Sequence, residues 1–262
     1  MKKITVILPI HRLDGNYKEM FNYAIESLND FHNDVKLSIV CPNDENITNE
    51  INSNLITNLE VVTLTHDGST DFCSQVNYGI EKCDTEWFSI LEIDDVYKSV
   101  WLKSMNEYIS IYPDVSVFLP IVKDVNEEGK FVSFTNESAW AYGFTDMQGF
   151  IDNEVLLEYQ NYQISGGLYR TQKIKDNGSL KENIKLTFGY EFLLRLTHNG
   201  VRVMTVPRVG YQHVNLREDS LFWLYKNNEN SLLSEKEVKF WLDSAKKEFF
   251  FKNKRDVNYN EA

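Results

Sequence analysis

Two adjacent carboxylates, Asp94 and Asp95, follow the largely apolar run from Trp87 to Ile93, in which Glu92 is the one charged residue. Neighbouring carboxylates at a strand end repel each other unless a cation or ligand neutralises them. Hard divalent cations such as Mg²⁺ and Mn²⁺ take oxygen ligands, commonly one or two carboxylates together with substrate phosphates. The pair therefore suits metal-assisted handling of a phosphorylated ligand, although Asp95 can equally cap a helix beginning near Ser99. His213 ends the run Gly210-Tyr211-Gln212-His213 and offers an imidazole ligand. Candidate proton acceptors are Glu191, on an amphipathic segment, and Asp146 and Asp152, in an irregular aromatic stretch. Glu191 also precedes Arg195 by four residues, so an ion pair on one helix face competes with a catalytic role.

These residues need a scaffold, and the first ~120 residues supply the pattern of βαβ units around a parallel sheet. Ile4 to Leu8, Val35 to Cys41, Leu59 to Leu64, Trp87 to Ile93 and Val115 to Val122 read as strands. Tyr17 to Leu28, Asp71 to Lys82 and Val100 to Tyr112 read as the helices between them. Lys123 to Phe134 reads as a hairpin turning at Asn126 to Lys130. Residues 136–167 are rich in aromatics and weakly periodic, which suits a segment covering a substrate site, with Trp140, Tyr142 and Phe144 placed to stack on a sugar. Leu186 to His198 reads as a helix, Val201 to Val206 and Val209 to His213 as short strands around Pro207, and Ser234 to Lys252 as a last helix with Ser234 and Glu237 as its capping box.

With 262 residues, 42% of them hydrophobic, the chain has ordinary globular composition for one large α/β domain with a modest appendage. A net charge of −12 disfavours a sequence-independent grip on nucleic acid. Cys41, Cys73 and Cys83 are too scattered for a disulfide framework and read as buried free thiols of a reducing compartment. No apolar run reaches membrane-spanning length, and Ile4 to Ile10 is too short for a signal core, so a cytoplasmic location is expected.

In order along the chain stand Val6-Ile7-Leu8-Pro9-Ile10-His11-Arg12, Asp67-Gly68-Ser69-Thr70-Asp71, Gln75-Val76-Asn77-Tyr78-Gly79 and Glu92-Ile93-Asp94-Asp95. This series resembles glycosyltransferase family 2, over residues 3 to about 215. The resemblance implies a GT-A (Rossmann-like) fold: an α/β, mostly parallel sheet flanked by helices. Residues 1–122 would form a nucleotide-sugar half and 123–215 an acceptor half of one domain, with 216–262 a C-terminal helical extension. By the same resemblance, Pro9, His11, Arg12, Asp44, Asp67, Gly68, Asn77 and Asp94 would contact the nucleotide-sugar. Asp95, with His213, would hold Mn²⁺ or Mg²⁺, and Arg217 and Lys226 would meet the diphosphate.

Ile164 to Arg170 and Tyr190 to Leu196 resemble the family's acceptor loop and following helix. The family's Glu-Asp pair, however, falls where this chain has Phe188-Gly189. That departure makes Glu191 the leading base, with Asp146 and Asp152 as rivals, and leaves the stereochemical outcome open. The expected reaction is inverting transfer from a nucleoside-diphosphate sugar, UDP-linked, to a glycan or other hydroxyl acceptor. Nucleic acid is disfavoured as a partner, with a modified nucleobase acceptor left open. A nucleotidyltransferase and a non-catalytic nucleotide-sugar-binding module are the competing functions. The first would want a better phosphate loop than His11-Arg12-Leu13-Asp14-Gly15.

Overall fold

The computed structural model describes residues 3–67, 71–215, 217, 220, 223, 236, 237, 239, 240, 243 and 244. Gly68, Lys226, Ser234 and most of the expected 216–262 extension lie outside the described residues.

The N-terminal half alternates strand and helix, following its apolar periodicity. β1 (Ile4–Pro9) leads to α1 (Tyr17–Glu26), β2 (Val35–Pro42) to α2 (Glu45–Asn54), and β3 (Glu60–His66) to α3 (Phe72–Lys82). β4 (Trp87–Ile90) runs through an acidic turn into the two-residue β5 (Val96–Tyr97) and then α4 (Trp101–Ile111). The second half contains β6 (Val117–Val125), β7 (Phe131–Thr135), β8 (Phe150–Ile151), α5 (Asn153–Glu158), β9 (Leu168–Arg170), α6 (Thr171–Asn177), α7 (Phe188–His198) and β10 (Val203–Val214).

The ten strands among the described residues join one mixed sheet, with the main order β3-β2-β1-β4-β9-β6-β10-β5. β1 pairs in parallel with both β2 and β4, and β2 with β3. β9 is inserted antiparallel between β4 and β6, while β6 and β10 run parallel. The long β6–β10 ladder puts the end of β10 beside the end of β6, with His213 in register with Asp124.

Every residue of β1 is buried because helices cover both faces of the sheet. Successive side chains alternate between faces: Val6 and Leu8 pack with Phe21 and Trp101, and Ile7 packs with Val76 and Ile80. Burying each such aliphatic side chain contributes about 1.5–3 kcal/mol. Gly79 lets α3 lie flush on the sheet, since a Cβ there would stand 2.6 Å from the Ile7 side chain.

Several local expectations are corrected. β4 ends at Ile90, so Glu92 to Asp95 stand on the turn beyond the strand. Asp95 does not cap α4, which starts after Val100 with no side-chain cap. Residues 203–214 form one irregular strand instead of two, with register shifts between Val206 and Tyr211. The polar helix α2, the short helices α5 and α6, and β9 carry too little periodicity to be read from the sequence. Glu237 accepts from the backbone N–H groups of Leu186 and Thr187, just ahead of α7; its expected capping-box partner, Ser234, lies outside the described residues. Among the described residues, no helix is long and apolar enough to cross a membrane.

Candidate active site

The end of β4 delivers the chain into a tight turn closed by the Asp95 N–H donating to the Glu92 carbonyl. Asp95 is thereby turned inward and is 1% exposed. The neighbouring end of β10 meets it: the Val214 N–H donates to Asp95 Oδ1 at 2.9 Å, and His213 Nδ1 lies 3.0 Å from Oδ2. Glu92 accepts from the buried Ser165 hydroxyl, which fixes its carboxylate. Potential ligand atoms of Glu92, Asp95 and His213 all lie within 4.8 Å of one another. Two carboxylates and an imidazole are a donor set that fits a divalent cation such as Mn²⁺.

This cluster borders a cavity of about 500 Å³. Glu92, Asp94 and His213 line it, and Asp95 lies behind them. Its other walls have identifiable supports. Pro9 and His11 come from the end of β1. Gln160, Asn161 and Gln163 form an amide-rich wall held by Asn136, whose side chain accepts from the Gln163 N–H and donates to the carbonyls of Gln163 and Pro120. Lys185 lines the third side and pairs with Asp71 at 2.7 Å. Arg217 enters the cavity 4% exposed, its Nε 3.3 Å from Asp94 Oδ2 and its guanidinium over the Tyr17 ring.

Of the residues expected to contact a nucleotide-sugar, Pro9, His11 and Asp94 are brought to this cavity, while Arg12, Asp44, Asp67 and Asn77 are not. Arg12 stacks on Tyr17. Asp44 caps α2 by accepting from the Asn46 N–H, and Asp67 is exposed beyond the end of β3. The Asn77 amide is spent on Leu180 and Glu182, so it pins the loop that precedes Lys185.

None of the three expected bases lines the cavity. Glu191 is 2% exposed and held by Arg195, through Nε and a second guanidinium nitrogen, and by Lys181. Asp152 caps α5, and Asp146 is exposed. Trp140 packs against Gly149 and donates to the Thr205 carbonyl instead of offering a stacking face to the cavity, and Tyr142 is fully exposed. Phe188 and Gly189 do line the cavity, so the position of the missing acidic pair faces the site without a carboxylate. A Cβ at Gly189 would meet only ordinary contacts, the nearest at 3.5 Å.

No protein-family model matches the sequence, and neither does any curated protein. Solved structures do match. The S. aureus TarS fragment 1–349 in complex with UDP-GlcNAc superposes with a TM-score of 0.60 at 18% identity, covering 84% of this chain and 60% of that one. A second structure of S. aureus TarS 1–349 gives 0.61 at 17%, covering 93% and 80%. A mannosyltransferase, PcManGT from Pyrobaculum calidifontis in complex with GDP-Man and Mn²⁺, gives 0.60 at 10%, covering 83% and 58%. The chain has a GT-A fold. It spans about three fifths of the length of the TarS and PcManGT chains whose complexes hold a nucleotide-sugar.

Within this GT-A fold the acidic turn crowds buried carboxylates against one another. Burial, then Asp95 and Glu92 beside it, raise Asp94 to about 7. Burial and Asp95 also hold Glu92 above the usual carboxylate range. Burial alone would lower His213, but Asp95, Glu92 and Asp94 overcome it and lift the imidazole from 6.5 to about 10. The imidazolium therefore stabilises the fold below about pH 6.5, and that contribution is lost as the pH climbs through about 10.

A cation binding at this nitrogen base must displace the proton. At pH 8, Mn²⁺ binding is expected to release about one proton, with affinity rising about tenfold per pH unit below the His213 value. Calorimetry in buffers of different ionisation enthalpy measures this directly. A binding heat independent of the buffer would show that His213 takes no part.

Proposed function

We propose that this chain is a metal-dependent glycosyltransferase that moves a sugar from a UDP-linked donor to a hydroxyl acceptor, with inversion. The observation that carries the reading is the Glu92, Asp95 and His213 cluster, set beside a nucleotide-sized cavity beyond the β1 and β4 strand ends of a GT-A fold. That neighbouring structures hold UDP-GlcNAc, or GDP-Man with Mn²⁺, supports it.

A divalent cation held by Asp95, His213 and Glu92 would neutralise charge gathering on the diphosphate leaving group. Pro9 and His11 would border the nucleoside, and Asp94 would bond its ribose. Arg217, a guanidinium already within the cavity, would meet diphosphate oxygens by charge-assisted hydrogen bonds. The amide-rich wall of Gln160, Asn161 and Gln163 offers donors and acceptors to a neutral polyhydroxyl acceptor, which favours a glycan. In this reading residues 1–122 serve the donor and 123–215 the acceptor.

The lack of a carboxylate at Phe188-Gly189 favours one alternative, a module that binds the nucleotide-sugar without transferring it. Thermal unfolding with UDP-GlcNAc, UDP-Glc and GDP-Man, each with Mn²⁺, tests the proposal. A true donor at ~100 times its Kd should raise Tm by about 5 °C or more. No shift with any nucleotide-sugar, but a shift with nucleoside triphosphates, would move the assignment to a nucleotidyltransferase.

A further inference from the structure

Among the described residues four carboxylates line the cavity, and three are already engaged. Asp71 caps α3 and pairs with Lys185, Glu92 belongs to the cation cluster, and Asp94 pairs with Arg217. The fourth, Asp124, has a different setting. It stands near the end of β6, is 4% exposed, and has no cationic partner among the described residues. The hydroxyls of Ser133 and Thr135, from the paired strand β7, both donate to the same oxygen, Oδ2, at 2.7 and 2.6 Å. Asp124 lines the cavity, and its hydrogen bonds to described residues engage Oδ2, not Oδ1. Because Asp124 is in register with His213 across a parallel ladder, the two side chains project from the same face, on strands about 4.8 Å apart.

We propose that Asp124 is the general base of the transfer, replacing the carboxylate missing at Gly189. The assignment rests on the glycosyl-transfer reading above. An ion-paired carboxylate such as Glu191 is committed to its cations, whereas Asp124 is oriented through one oxygen and open through the other. In the step, Asp124 Oδ1 takes the proton of the acceptor hydroxyl as that oxygen's electron pair forms a bond to the anomeric carbon. The bond from that carbon to the phosphate oxygen breaks, and its electron pair leaves with the nucleoside diphosphate. With water as acceptor the products are free sugar and UDP, so the step can be read without knowing the natural acceptor.

The experiment compares wild type with Asp124→Asn, measuring UDP-GlcNAc binding with Mn²⁺ by calorimetry and UDP release across pH. Asparagine can still accept from Ser133 and Thr135, so binding should stay within about threefold while UDP release falls about 10²–10⁴-fold and its acid limb disappears. Release within threefold of wild type, or an unchanged acid limb, would overturn the proposal. So would a wild type that binds UDP-GlcNAc without releasing UDP, which leaves donor binding intact but shows no working base. A wild type that neither binds nor turns over any nucleotide-sugar would instead remove the glycosyl-transfer reading, and this proposal with it. Should Asp124→Asn fail to fold, Thr135→Val frees Oδ2 from one donor. It is expected to shift the acid limb of UDP release upward, and an unshifted limb counts against the base role.

Discussion

Asp95→Asn is expected to lower Mn²⁺-dependent UDP release from UDP-GlcNAc by about 10²-fold or more, the scale of losing a preorganised charge at a leaving group. The substitution keeps the side chain's size and an oxygen for the Val214 N–H, so the β4 and β10 ends remain joined. What it removes is the negative charge at the centre of the Glu92, Asp95 and His213 cluster. His213 then loses its largest charged support and falls back toward its ordinary titration. Fewer anionic ligands remain for a cation, and the imidazole is no longer held toward them. Steady-state UDP release, read with Tm on the same sample, checks this. Release within about threefold of wild type, from a variant of unchanged Tm, would remove Asp95 from the site.

Glu191→Ala should act on stability instead. Its carboxylate is 2% exposed and satisfies Arg195, whose two terminal nitrogens also donate to the carbonyls of Asn177, Gly178 and Ser179. That network ties α7 to the end of α6, behind the wall carrying Phe188 and Gly189. Removing one partner of a buried pair leaves the other uncompensated and costs about 3–5 kcal/mol. For a chain of this size that corresponds to a fall in Tm of roughly 10 °C. Well below the new Tm, kcat for UDP release should remain within about threefold of wild type. A stable Glu191→Ala protein with kcat reduced a hundredfold would return the base role to Glu191.

The contrast between Glu191 and Asp124 shows how far the sequence could be read. Apolar periodicity places β1, β2, α3 and α4 because both sheet faces are covered and each run is long enough to register. It places Asp94 and Asp95 just beyond β4, although the strand itself stops at Ile90. It cannot find α2, where Ile51 is the one buried residue among polar neighbours. Nor does periodicity reveal that Asp95 and His213 meet across 118 positions; ordered motifs suggested that pairing, and the β6–β10 register brings it about.

Asn77 and Gly79 stand in one of the ordered motifs, yet the structure gives both an architectural part: the Asn77 amide pins a loop, and the absence of a side chain at Gly79 permits close helix packing. Asp124 gave no signal, since a lone acid before a hairpin turn reads as a solvated residue. Its meaning depends on Ser133 and Thr135 arriving from β7 and on the cavity at the end of β6. Glu92 had a usable signal in its acid-x-acid spacing to Asp94, and the turn geometry brings it to the cluster.

Calorimetric titration of UDP into the protein, with and without Mn²⁺, tests the central claim that this cluster and cavity hold a nucleoside diphosphate through a divalent cation. Saturable one-to-one binding is expected with Mn²⁺, at least about tenfold weaker without it, with the same weakening in Asp95→Asn and His213→Ala despite added Mn²⁺. UDP binding of equal strength with and without Mn²⁺, or undiminished in both variants, would contradict it.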